Sequence, residues 1–384
     1  MDQADLNAIL SEARRFIREV AVPAEPEIDE KNAIPETLRA QAADMGFFGF
    51  AIPEEYGGLG LTMHGEAQLV FELGYTSPAF RSMFGTNNGI AGHVLLEGGT
   101  EEQKQRYLPR LASGEWIAAF GLTEEDAGSD PSVLKTTAVR DGDHWIINGT
   151  KRFITNAPVA EVIMVFARTT PDVPASKGIS VFYVPVDTPG LTVGPPDSKM
   201  GQSGALTADV MLDNVRVPAS DLIGEEGRGY TTAMRCLAHG RLHIAALCVG
   251  LSQRLVDESV EWATTRHQGG SVIAEHQLIQ ALIADSQTEL MAARALVLQA
   301  AAAYDDGTDK KMGPACAKYF ASEAVGRIAD RAVQIHGGSG YMRGVAVERF
   351  YRDVRLFRIY EGTSQIQQLV IARQLIRNAQ SKGA

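Results

Sequence analysis

Cysteine is scarce in this chain: three among 384 residues, Cys236, Cys248 and Cys316, with no CxxC pair and no tight Cys/His cluster. That scarcity points to a reducing compartment and excludes a disulfide framework or a structural zinc site. Positive charge is also in deficit, with 36 Lys and Arg against 47 Asp and Glu and a net charge of −11. The electrostatic footprint of a general nucleic-acid binder is therefore missing. Long apolar runs are lacking as well: the longest uncharged stretch, Ser82 to Leu96, carries glycine and asparagine and is too short to span a bilayer. Met1 to Asp5 shows no basic region leading into an apolar stretch, so no secretory signal is read and a cytoplasmic location is expected. What remains is 45% hydrophobic and 22% charged, a composition that excludes disorder and fibrous folds. At this length two or three domains are expected.

The periodicity changes character twice. Leu6, Ile9, Leu10, Ala13, Phe16, Ile17 and Val20 share one helical face, and Pro23 and Pro26 are expected to stop that helix. Pro35 to Met45 predicts a second helix ended by Gly46, and helical spacing returns from about His64 to Arg110 with breaks near Thr76–Pro78 and Gly98–Gly99. Near Trp116 the period becomes two. Residues 134–156 read as a hairpin about Asp141-Gly142-Asp143, and strand-like runs follow at 162–167, 179–186, 191–193, 208–212 and 215–217. This spacing predicts antiparallel sheet rather than βαβ units. From Gly229 helical stripes return, one through Ile279, Leu282, Ile283, Leu290 and Val297, another through Phe320, Ala324, Ile328 and Ile335. The fold class is α+β: a helical domain at 1–115, a middle antiparallel β-barrel or sandwich domain at 116–228, and a C-terminal four-helix-bundle domain at 229–384.

Four clusters stand out on this scaffold. Phe120 to Asp130, with Leu122, Thr123 and Ser129, is a surface turn or a loop whose amides and hydroxyls bind a polar heterocycle or phosphate. Lys151 to Asn156 brings Phe153 and Thr155 to one strand face, where ring stacking and hydrogen bonding meet a flat ligand; such alternation also occurs without one. Gln334 to Tyr341 holds Gly337 and Gly338, either a helix C-cap or a close approach to ligand, and not a Rossmann strand–GxGxxG–helix. In Ile359 to Gln367, Thr363 or Ser364 caps a helix running to Asn378, and Glu361 is either a general base in an apolar pocket or a complement to the helix dipole.

In this order the clusters resemble the acyl-CoA dehydrogenase family over nearly the whole chain. Ile52-Pro53-Glu54-Glu55-Tyr56-Gly57-Gly58-Leu59-Gly60, Leu122-Thr123-Glu124 with Gly128-Ser129-Asp130, and Asp213-Asn214-Val215-Arg216-Val217-Pro218 complete the collinear series. The resemblance implies FAD, an acyl-CoA substrate, a dimer-of-dimers homotetramer, and trans-α,β-desaturation in fatty-acid β-oxidation with electrons passed to an electron-transfer flavoprotein. It implies that Glu361 takes the α-proton while the β-hydride goes to flavin N5, with the Glu361 amide and a flavin ribityl hydroxyl on the thioester carbonyl. It assigns flavin contacts to Phe120, Leu122, Thr123, Ser129, Phe153 and Thr155, then to Thr363 and Gln365. Arg266, Gln277, Gln334, Gly337 and Gly338 would grip pyrophosphate and adenosine, partly from a neighbouring subunit. Ser129, Arg241 and Gly362 would meet substrate.

No metal belongs to this chemistry, and His64, His93, His144, His243 and His276 show no ligand-like grouping. Two departures stand out. Gln268-Gly269-Gly270 follow Arg266 where an aromatic is common, and Ala238 stands where the family often has an acidic residue, removing a CoA-adenine contact. Gly240 cannot supply the base that some branches place nearby, which favours Glu361. Alternatives are an acyl-CoA oxidase using oxygen and a flavin or acyl-CoA binding protein without turnover.

Overall fold

The architecture follows from where apolar residues find partners. The computed structural model describes residues 2–382. At the N-terminal end lie α1 (Gln3–Phe16), α2 (Val22–Lys31), α3 (Glu36–Asp44), α4 (Met63–Leu73), α5 (Pro78–Gly89), α6 (Ala91–Gly98) and α7 (Glu101–Ala112). Pro23 and Pro26 do not stop the first helix, contrary to expectation. A wide π turn at Ile17–Ala21 shifts the register, so that Pro23 falls in the first turn of α2, where a missing N–H costs little. Tertiary contacts hold the rest of α2: Ile28 enters the core, and Glu25 accepts from Thr76 Oγ1 at 2.8 Å and pairs with Arg254 and Arg349. Asn32, with φ of 49°, ends it.

The sheet comprises β1 (Ala118–Gly121), β2 (Thr137–Asp141), β3 (His144–Thr155), β4 (Val162–Arg168), β5 (Ile179–Pro185), β6 (Leu191–Val193), β7 (Thr207–Pro218) and β8 (Leu222–Ile223). Strand order is β6-β7-β3-β2-β4-β5-β8, with β1 on β4. Pairing is antiparallel as expected, except that β1 runs parallel to β4 and β2 meets β4 at one parallel position. The two runs expected at 208–212 and 215–217 are one strand, β7, which absorbs Asn214 at φ of 52°. Ile147, Ile163, Val165, Phe182, Val210 and Val215 fill the sheet's own core. A four-residue helix, α8 (Ala175–Gly178), leads into β5.

The C-terminal helices are α9 (Gly229–Thr265), α10 (Gln277–Asp305), α11 (Met312–His336), α12 (Ala346–Val354) and α13 (Ser364–Lys382), with a small hairpin of β9 (His267–Gln268) and β10 (Ser271–Val272) between α9 and α10. Helix α9 is the shared spine. Its stretch from Leu242 to Val256 packs in one core with Phe47, Phe80 and Phe84 from the first helices and with Val325 and Ile328 from α11. Its beginning, at Ala233 and Cys236, packs with Leu95, Met164 and Val181. The residues before α13 are thereby set against α9 and α5.

Candidate active site

Glu361 lies in the turn between the short helical segment ending at Arg358 and α13. Its φ is 51° and that of Gly362 is 91°, two consecutive left-handed residues. For a non-glycine residue this conformation costs about 1–2 kcal/mol and persists only where surroundings fix it. Here Lys318 Nζ, from α11, donates to the Gly362 carbonyl at 2.8 Å, and Gln367 Nε2 donates to the same oxygen at 2.9 Å. Thr363 Oγ1 caps α13 by accepting from the Ile366 N–H at 3.2 Å, and Ser364 Oγ donates to Glu323 at 2.6 Å. Helix α13 runs past the expected Asn378 to Lys382. Among the described residues the Glu361 N–H donates to no protein acceptor.

The carboxylate sits among cations. Burial pushes its pKa up, opposed in order by Arg81, Lys318 and Arg241. Its Oε2 is sealed from solvent and meets no hydrogen-bond partner. Burial lowers Lys318 to about 8 and shifts Arg81 and Arg241 downward as well. A dipole-complement role would leave Glu361 hydrated at the helix entrance; it is instead a desolvated carboxylate aimed into the protein. Gly240 on α9 supplies the space: a Cβ there would collide with Oε2 of Glu361 and lie 2.9 Å from Ile90 Cγ2. We expect Gly240→Ala to displace the carboxylate and lower turnover roughly 100-fold, since ångström-scale misplacement of a reacting group has effects of that order. Unchanged turnover in a folded variant, with folding checked by thermal melting, would contradict this placement.

Sequence reading missed the supports behind this wall. Arg81 is the sole charged residue of α5 and lies at the edge of the longest uncharged run, which was the available signal. Its Nη2 is 2.8 Å from His243 Nδ1, and His243 Nε2 is 2.5 Å from Glu66. Burial drives the His243 pKa down to about 3, so the neutral ring accepts from Arg81 and donates to Glu66. His239 Nε2 lies 3.2 Å from the same carboxylate. The expectation that His243 has no ligand-like grouping is therefore corrected: Glu66, His239 and His243 are buried with ligand atoms within 4.8 Å of one another. The helical i,i+4 spacing of the two histidines was visible; Glu66, more than 170 residues away, was not. Arg81 bonded to one of these rings opposes a cation there electrostatically.

The first two clusters meet each other. Arg152 N–H donates to the Thr123 carbonyl at 2.9 Å, and fully buried Lys151 Nζ reaches Glu124 Oε1 at 2.6 Å. Glu124 also accepts from Lys135 N at 2.6 Å and Thr136 Oγ1 at 2.5 Å. The attraction of Lys151, with these hydrogen bonds, holds Glu124 below its ordinary pKa against the opposing and larger single effect of burial, which also lowers Lys151 to about 8. A register shift between Lys151 and Ile154 throws Phe153 outward at φ of 56° and 60% exposure, with Ile154 inward and Thr155 half-buried beyond it. Asn156 ties this strand end to α5, donating to Ser82 O at 2.9 Å and Thr86 Oγ1 at 2.9 Å. Phe120 and Thr123 are half-buried, Leu122 buried and Ser129 exposed.

The remaining predicted residues gather elsewhere. Arg266 ends α9, Gln277 begins α10, and Gln334 and Gly337 end α11; Ala263, Ile273, Ile279 and Ile335 pack these ends together. Gly337, with φ of 59°, is the C-cap of α11, and it and Gly338 face open space. Gly269 and Gly270 also face open space, in the β9–β10 turn. Among the described residues no hydrogen bond or ion pair joins this group to the Phe120–Ser129 loop. Arg241 Nη2 approaches the α-carbon side of Gly362, and Gln365 is exposed on the first turn of α13.

Three family models match in series: the acyl-CoA dehydrogenase N-terminal domain at residues 3–115, its middle domain at 119–215 and its C-terminal domain at 227–376. The chain is 41% identical to a 3-(aryl)acrylate reductase of Clostridium sporogenes over 95% of this chain and 97% of that one. A solved chain described under "Electron transferring flavoprotein of Acidaminococcus fermentans: Towards a mechanism of flavin-based electron bifurcation" superposes with a TM-score of 0.94 at 36% identity, covering 98% of this chain and 100% of that one. Butyryl-CoA dehydrogenase of Megasphaera elsdenii superposes with a TM-score of 0.93 at 33% identity, covering 97% and 98%. This chain belongs to the acyl-CoA dehydrogenase family, oxidoreductases acting on CH–CH groups.

Proposed function

We propose that the protein interconverts an acyl-CoA thioester and its trans-2-enoyl-CoA, with Glu361 moving the proton at Cα. The observation that carries this reading is the sealed, unpartnered Oε2 of Glu361, beside a backbone N–H with no protein acceptor among the described residues. An α-thioester proton is weakly acidic, so the base must be desolvated and the developing carbonyl charge must meet donors. Glu361 provides the first, and its amide the second. Arg241 and Gly362 border the thioester, with Ser129 at the entrance. In the reducing direction, after which the clostridial relative is named, protonated Glu361 returns the proton to Cα by the same geometry.

FAD is the family's cofactor, and residues here suit it. The outward, exposed ring of Phe153 offers a flat apolar face, and Thr155 on its strand and Thr123 and Ser129 on the loop joined to that strand through Arg152 offer hydroxyls. Phe120 and Leu122 would line that face, with Thr363 and Gln365 near the base. The bare backbone at Gly337 and Gly338 leaves room for a phosphate group, with Arg266, Gln277 and Gln334 around it. FAD, when bound, supplies the acceptor for the β-hydride. Among the described residues no hydrogen bond or ion pair joins this group to Phe153 or the Phe120–Ser129 loop, and we place the complete site across two subunits of a homotetramer. Electron-transfer flavoprotein is the proposed carrier, and the functional units are 1–115, 116–228 and 229–384. No helix of the described residues is long and apolar enough to cross a membrane; a cytoplasmic location is part of the proposal.

Anaerobic mixing of the FAD-loaded protein with an acyl-CoA series tests this reading. Loss of the oxidised flavin band with stoichiometric enoyl-CoA supports it, and an unchanged band across the series overturns it. Peroxide formed in air at the rate of substrate loss would favour the oxidase alternative. Glu361 must be ionised to accept a proton, so kcat/KM in the oxidising direction rises with pH through its pKa. Burial places that midpoint above the ordinary glutamate value of about 4.3. A midpoint at or below that value would contradict a desolvated base.

A further inference from the structure

Away from Glu361, the N-terminal helices and the C-terminal bundle border a second concavity of about 190 Å³. Arg14 and Arg18 line it from α1, Phe71 and Glu72 from α4, and Arg294 from α10. Its lining on α9 begins at Gln253, ~18 Å along that helix from Arg241 at 1.5 Å per residue. The cavity therefore lies apart from the wall around the base. In a chain with a net charge of −11, three arginines about one cavity run against the overall sign.

The carboxylates here do not balance the arginines. Glu72 is shared: Arg14 donates to it through Nε at 3.2 Å and Nη2 at 2.7 Å, and Arg18 through Nη1 at 3.2 Å. Asp257 accepts from the Tyr75 hydroxyl at 2.8 Å and from Gln253 Nε2 at 2.9 Å, and it pairs with no arginine among the described residues. Arg294 makes neither a hydrogen bond nor an ion pair among those residues. Burial lowers its pKa, with Glu72 opposing that shift and Arg14 adding to it. Three cations thus face two anions, and the half-buried one has no partner of its own. A guanidinium withdrawn from water in this way is completed by an anion.

Two aromatic rings orient the uncommitted donors. Arg294 Cζ lies 4.8 Å from the Phe71 ring centroid, and Arg18 Cζ lies 4.1 Å from that of Tyr75. A guanidinium held against a ring keeps its plane fixed and its N–H groups at the rim. Arg18 commits only Nη1, to Glu72 and the Arg14 carbonyl, so its Nε–Nη2 edge remains for an acceptor. Arg294 keeps all five N–H donors. Pre-oriented forks from two helices suit bidentate contact with a phosphate group. The cavity is smaller than the roughly 300–1,000 Å³ of sites for drug-sized ligands, which limits the occupant to a small anion.

We propose that this cavity is a phosphate-binding site, taking inorganic phosphate or the phosphate group of a small monoester, with Arg18 and Arg294 as its principal donors. The bound anion supplies the missing counter-charge and ties α1 to α10. It stabilises the folded protein by mass action. The inference goes beyond the reaction at Glu361 and does not depend on it.

Isothermal titration of the FAD-loaded protein tests the site, with inorganic phosphate, glycerol phosphate and acetate each added at constant ionic strength against chloride. Wild-type protein should bind phosphate saturably and acetate more weakly, and Arg294→Gln should weaken phosphate binding roughly tenfold to hundredfold. Arg18→Gln should do the same and serves if Arg294→Gln does not fold. Arg294→Lys, which keeps the charge without the fork, should retain part of the affinity. Tighter binding of glycerol phosphate than of inorganic phosphate assigns the site to an ester, and the reverse order assigns it to the free ion. Flavin bleaching by acyl-CoA should be unchanged in Arg294→Gln. Absence of saturable phosphate binding, or equal binding in wild type and both glutamine variants, overturns the proposal. Loss of acyl-CoA binding in folded Arg294→Gln would overturn it too, by making the cavity part of the thioester site.

Discussion

Glu361→Gln should leave a folded protein that binds FAD and acyl-CoA while turnover falls by roughly 100- to 10,000-fold, the range for removing a positioned general base. The amide keeps the volume of the carboxylate and the support that Lys318 and Gln367 give to the turn's carbonyls. Burial opposes the charge at this position, so the neutral amide should unfold at the same temperature as the wild type or higher. A structural role would give the opposite pair of results: reduced stability with activity largely retained. Steady-state turnover with a dye acceptor and a thermal melt separate the two.

The second large effect concerns the buried Lys151–Glu124 joint between the first two clusters. Lys151→Met should destabilise the protein by ~3–5 kcal/mol, the usual cost of removing one partner from a buried pair. The methionine fills the volume but leaves Glu124 ionised and buried, with the Lys135 N–H, the Thr136 N–H and the Thr136 hydroxyl as its remaining donors. Glu124→Gln should cost less, because Lys151, already lowered to about 8, can shed its proton. The double variant Glu124→Gln with Lys151→Met should recover much of the loss. Urea denaturation of the four proteins gives the coupling, and a loss under ~1 kcal/mol for Lys151→Met would show that the pair does not tie the two clusters together.

Much of the layout could be read from periodicity, because long amphipathic helices and alternating strands follow local rules. The Gly142-Asp143 turn, the helix α3 boundaries and the cap at Thr363 are local chemistry and were legible. Pro23 misled because its effect depends on helix register, which the π turn at Ile17–Ala21 changes. The parallel β1–β4 pairing and the continuity of β7 depend on tertiary contacts that no short window contains.

At the site the division is the same. Glu361 could be identified from its motif, but its two readings could not be separated until burial distinguished a desolvated carboxylate from a helix-dipole complement. Gly240 was read only as a residue unable to be a base; its more important role is to make room for one. The Arg81–His243–Glu66 chain joins residues 162 and 177 positions apart, and no spacing rule predicts such contacts. Lys151 did leave a trace, as a lysine at an inward position of an alternating strand, and its buried partner in the first cluster explains it.

The account stands on proton transfer at the α-carbon by Glu361. Proton NMR of an acyl-CoA that bleaches the flavin, incubated anaerobically with the FAD-loaded protein in deuterium oxide, reads that step directly. The account predicts replacement of α-hydrogen by deuterium with the wild-type protein and its near absence with Glu361→Gln. Equal α-exchange in both proteins would contradict it.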